Sequence, residues 1–130
     1  MLRTVAAAAA LALAAGCGSS GPSARDEFVR GLEQIRGSHG AVELHAQLAE
    51  TLAALRRQPS APGRRLAIQG FAATLRGVDA QVDLIENDSG KLEAAVRDSK
   101  RADRYRKRGA NLLRRAGRAF GIRVGTLGGY

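Results

Sequence analysis

"IQGFAATLRGVDAQVDLI", residues 68–85, is the stretch that decides the fold. Its large apolar residues, Ile68, Phe71, Leu75, Val78, Val82 and Ile85, recur at intervals of 3, 4, 3, 4 and 3. That spacing puts all six on one side of an α-helix and makes an apolar seam of the kind that packs against neighbouring helices. Ser60, just ahead of Ala61 and Pro62, is suited to an N-cap, and Asn87-Asp88-Ser89-Gly90 to a break. The spacing therefore predicts a helix over about 61–87.

Working outward, Phe28, Leu32 and Ile35 form one helical stripe, and Leu44, Leu48, Leu52 and Leu55 another. "GSHG" (37–40) lies between them, and its two glycines predict a kink or a short break. Asp26 and Glu27 sit where a first helical turn favours acids. "RRQPSAPG" (56–63) closes this element and makes the turn. On the other side, a last helix is predicted over about 89–120, with Leu92, Val96, Ser99, Ala102, Leu113, Ala116 and Phe120 inward. Its middle holds few large apolar groups, so it packs either closely or weakly. Gly121 is placed for a left-handed C-terminal cap, with Ile122 folding back on the final turn. The tail "GIRVGTLGGY" (121–130) reads as a packed-down end, since no second strand candidate exists to pair with it.

Together these segments predict an all-α fold: an up-and-down antiparallel bundle of three long helices, the first either kinked or broken into two. The chain of 130 residues holds one small domain. With aromatics at 4% and no tryptophan, the core is built from Leu, Ala, Val and Ile. A single cysteine excludes an internal disulfide and any CxxC metal or redox pattern.

Before the bundle, Met1-Leu2-Arg3 is a short positive segment and residues 5–15 an uncharged apolar stretch, the order of a secretory signal peptide. The stretch is too short for a lasting membrane span. Leu13-Ala14-Ala15-Gly16-Cys17 resembles the lipobox of bacterial lipoproteins, with Ala14 standing where that family prefers leucine. The resemblance implies cleavage after residue 16, diacylglycerol attachment and palmitoylation at Cys17, and anchoring on the extracytoplasmic face of the cell membrane. The organisation is then a leader (1–16), a lipidated cysteine with a flexible Gly/Ser tether (17–23), the bundle (24–120) and the tail (121–130).

The net charge is +9. Residues 1–96 hold ten basic and ten acidic residues, whereas residues 97–130 hold eleven basic residues against Asp98 and Asp103 alone. A line on the last helix opposite the expected seam reads Arg97, Arg101, Arg104, Arg108, Asn111, Arg115 and Arg118. Like charges three and four apart repel by roughly 0.2–0.5 kcal/mol each, so this row costs helix stability. In an envelope setting its partners would be anionic lipid headgroups or envelope polymers, alongside a possible envelope protein. The helix lacks the broad apolar face of an inserting amphipath, so it would lie on headgroups. A solvated helix also shows a charged face, and 18 Arg against 3 Lys suits GC-rich coding. If residues 5–15 were instead an alanine-rich helix and Cys17 an ordinary thiol, the basic helix would point to nucleic acid, although only Tyr105 could stack on bases there.

Catalytic and metal patterns are sparse. His39 and Glu43 are four apart with His45 nearby, but no third ligand stands at metal spacing. "ENDSG" (86–90) lacks the alternate acids of a calcium loop. Neither "GRRLAIQG" nor "GIRVGT" contains the GK[ST] of a phosphate loop. No nucleophile elbow is found. The expectation is a non-enzymatic protein without cofactor or metal, whose bundle binds or spaces something.

Overall fold

The computed structural model describes residues 23–127. The leader, Cys17 and the tether up to residue 22 lie outside the described residues, as do residues 128–130. The described chain is all-helical, with four helices in place of the three long ones expected: α1 (Ala24–Arg36), α2 (Ala41–Arg57), α3 (Arg64–Glu86) and α4 (Leu92–Phe120). The break at residues 37–40 is complete, so α1 and α2 are separate elements.

Each boundary has a local cause. Ser23 caps α1: its Oγ accepts from the Asp26 amide while Asp26 accepts from the Ser23 amide, a reciprocal capping box. Helix α3 starts at Arg64, with Gly63 and not Ser60 as its N-cap. Gly63 is left-handed at φ 90°, a conformation that costs a side-chain-bearing residue and suits glycine. Arg64 then closes the turn by donating to the carbonyls of Leu55 (3.1 Å) and Arg56 (2.9 Å) at the end of α2. Gly121 is the predicted left-handed cap at φ 72°, and the Ile122 amide returns to the Gly117 carbonyl at 2.8 Å. The tail folds back as expected: Val124 is buried against Gly117, and Arg36 donates to the Val124 carbonyl.

The core joins all four helices and is not purely aliphatic as the composition predicts, because Phe28, Phe71 and Phe120 meet within it. Phe28 and Leu32 of α1, Leu44, Leu48 and Leu55 of α2, Phe71 and Val78 of α3 and Leu113 of α4 are almost fully buried, each worth about 1.5–3 kcal/mol of transfer free energy. The buried hydroxyl of Thr51 donates to Gln34 at 2.7 Å, and that of Thr74 to the Gly70 carbonyl at 2.9 Å. The seam of 68–85 is a core seam only in part, because Ile85 is 66% exposed.

The most extensive interface is α3 against α4, and small residues make it. Gly70 faces Leu113, Gly77 faces Ala102, and Gly109 faces Thr74, a register that sets the two helices antiparallel. A methyl group on Gly70 would sit 2.7 Å from Leu113 Cδ2, and one on Gly109 would sit 3.0 Å from the Thr74 amide nitrogen. The middle of α4 therefore packs closely, through glycine and alanine.

Three residues expected inward on α4 face solvent: Leu92 at 79%, Val96 at 45%, and Ser99. The cause is length. With 29 residues, α4 is about 43 Å long against about 25 Å for the 17 residues of α2. Its first turns and the end of α3 thus project as a two-helix tip that no third helix among the described residues covers.

Candidate anion-binding surface

On α4 the buried positions are Asp98, Ala102, Gly109, Leu113, Ala116 and Gly117. Arg97, Arg104, Arg108, Asn111, Arg115 and Arg118 are exposed, as the spacing predicts. Arg101 is not. It turns inward, half-buried, to bond Asp83 of α3 at 3.0 Å and Asp98 at 3.3 Å. The row is therefore interrupted at Arg101, which acts as a strut between α3 and α4 and holds the buried Asp98 carboxylate in an ion pair.

The outward face also carries Lys100, Lys107 and Arg114, which the sequence row omits. Leu92 and Val96 drew the inferred inward face towards themselves. Centring it on Ala102, Gly109 and Ala116 rotates the outward line by about 55° at 100° per residue, onto Lys100, Arg104, Lys107, Arg114 and Arg118. Arg106 and Lys107 are held by Asp103 at 2.5 and 2.9 Å. Lys107 and then Arg106 keep the Asp103 carboxyl below its ordinary value. Among the described residues Arg97, Lys100, Arg104, Arg108, Arg114, Arg115 and Arg118 form no ion pair. Tyr105 lies between Arg76 and Arg104, each 5.7 Å from its ring centroid, so the one aromatic of this helix segment is already engaged by cations.

No family model, curated protein or solved structure matches this chain. Among the described residues, no helix is long and apolar enough to cross a membrane, and no three His, Cys, Asp or Glu side chains group as metal ligands. His39 stands exposed in the break, away from the helix that carries Glu43 and His45. His45 meets Asp79 of α3 at 2.5 Å. These two line a groove of about 520 Å³ with Arg76, Asp83, Arg101 and Tyr105, in which Asp79 meets the His45 imidazole of α2 and Asp83 the Arg101 guanidinium of α4.

At the projecting tip, Asp88 and Asp98 are both buried, and Asp88 Oδ2 has no hydrogen-bond partner among the described residues. The bond to Asp98, then desolvation, then the charges of Asp98 and Asp83 push the Asp88 carboxyl above its ordinary value against the opposing pull of Arg97. A raised folded value means that the contribution of Asp88 is present below the ordinary carboxylate range and is lost as pH rises through the elevated value. Asp88→Asn is therefore expected to gain thermal stability relative to the parent protein as pH is raised from 4 to 7. Thermal unfolding at both values checks this; an unchanged difference would show that the Asp88 carboxyl is not raised in the folded protein.

Proposed function

We propose that this chain is a lipid-anchored protein of the extracytoplasmic membrane face, attached through Cys17, whose up-and-down bundle has a non-enzymatic binding role towards an anionic partner. The observation that carries the second half is the unpaired basic face of α4. Seven cations held on one helix without an ion pair among the described residues remain available to an external anion, and each Lys or Arg near an anionic surface contributes on the order of 1 kcal/mol. The order of leader, cysteine and tether supports the first half.

Labelled palmitate tests the anchor: incorporation into the full chain is expected, with loss in Cys17→Ala, and an unlabelled parent would end this half of the reading. Co-sedimentation of the full-length Cys17→Ser chain with vesicles tests the partner. Binding to phosphatidylglycerol-containing vesicles is expected to exceed binding to pure phosphatidylcholine at low salt and to fade as salt rises. Equal binding to both would exclude an anionic surface.

A further inference from the structure

The fold gathers charges that lie far apart along the chain. Between Glu50 and Asp79 the sequence has five arginines and no acid, and after Asp103 it has eight basic residues and no acid. Seven of the twelve acids fall from Asp79 to Asp103, against the four cations Lys91, Arg97, Lys100 and Arg101, so the stretch that runs through the projecting tip is net acidic. At the opposite end, Gly63 abuts Ala119 and Phe120, Arg64 closes the α2–α3 turn, and Arg25 Nε donates to the Phe120 carbonyl at 3.4 Å. The start of α1, the end of α2, the start of α3 and the end of α4 thus meet at one pole. Arg25, Arg56, Arg57, Arg65 and Arg118 are all exposed there, and none is in an ion pair among the described residues. The acids near this pole are engaged: Asp26 is held in the Ser23 capping box, and the buried Glu27 meets Arg30 at 3.4 Å. The bundle is therefore a charge dipole along its long axis.

We propose that this basic pole is the seat of the domain on an anionic phospholipid surface, so that the bundle stands end-on and the acidic tip points away. This rests on the reading of an anionic membrane partner and sharpens it from the side of α4 to its end. Charge complementarity names the occupant: clustered, unpaired guanidinium groups from four helix ends match a plane of phosphate headgroups. Chain geometry agrees. The chain enters the bundle at Ser23, on the same pole, and six residues beyond Cys17 reach at most about 20 Å. A lipidated Cys17 therefore brings this end to the bilayer, while the tip lies a helix length of about 43 Å further off.

The test compares two full-length, unlipidated Cys17→Ser chains with matched charge loss. The pole variant carries Arg56→Gln, Arg57→Gln, Arg65→Gln and Arg118→Gln; the side variant carries Arg97→Gln, Arg104→Gln, Arg108→Gln and Arg115→Gln. Arg25 and Arg64 are kept because each bonds a helix-end carbonyl, and circular dichroism confirms that both variants fold. On phosphatidylglycerol-containing vesicles the pole variant is expected to lose about tenfold or more in affinity and the side variant less than about threefold. Equal losses, or a larger loss in the side variant, would overturn the end-on seat while leaving an anionic membrane partner standing. A parent chain that ignores anionic vesicles would overturn both, and one that binds a short DNA duplex more tightly than the vesicles would replace the lipid seat with nucleic acid. Palmitate labelling reads the anchor separately from all of these.

Discussion

Phe71→Ala is expected to lower the unfolding free energy by about 3–5 kcal/mol, a large share of the roughly 5–15 kcal/mol that holds a small domain. The ring of Phe71 is fully buried. It lies 5.8 Å from that of Phe28, which in turn stacks on Phe120 at 5.1 Å, so α1, α3 and α4 converge on one aromatic cluster. Gly31 leaves room for it: a methyl group there would come within 2.6 Å of the Phe71 ring. Truncation removes the transfer free energy of the ring and leaves a cavity that three helices cannot all close. Thermal unfolding should show a melting temperature lower by about 15 °C or more. Ile85→Ala, on the same sequence seam but two-thirds exposed, is expected to change stability by less than about 0.5 kcal/mol. Similar losses at the two positions would mean that the seam is buried along its whole length.

Gly109→Leu is expected to be the second most damaging change, costing about 3 kcal/mol or more. Leucine improves helix propensity by nearly 1 kcal/mol over glycine, so propensity alone predicts stabilisation. Packing opposes it. A first side-chain carbon at 109 already crowds the backbone nitrogen of Thr74 at 3.0 Å and the Gly70 carbonyl at 3.1 Å, and backbone cannot move aside as a flexible side chain can. Separating α3 from α4 to admit leucine would break the most extensive interface in the molecule, beyond the 1–3 kcal/mol typical of simple overpacking. Chemical denaturation gives the sign directly, and a stabilised variant would show that α4 rests only loosely on α3.

How far these properties were legible depended on the signal. The stripes of Phe28, Leu32 and Ile35 and of Leu44, Leu48, Leu52 and Leu55 marked their helices correctly, because large apolar side chains at helical spacing announce a buried face. Glycine carries no such signal. Gly70, Gly77 and Gly109 look like weak points in a helix read alone, and they become the contact surface once another backbone lies against them. Leu92 and Val96 failed in the opposite sense: they are apolar at the right spacing, yet they lie past the ends of α1 and α2, where none of the described residues covers them. Arg101 belonged to a row of like charges by its number and left it because Asp83 and Asp98 stand within reach.

Local order was thus determined by the sequence itself: helices throughout, interruptions at residues 37–40 and in the 56–63 stretch, a left-handed cap at Gly121 and an excess of positive charge near the end of the chain. These follow from periodicity and from backbone restrictions that act over a few residues. Tertiary structure alone decided that glycines form the α3–α4 contact, that the tip extends beyond the other described helices, and that Arg25, Arg56, Arg57, Arg65 and Arg118 share one pole. Close approach and charge clustering depend on which distant segments come together, and no spacing along the chain encodes that.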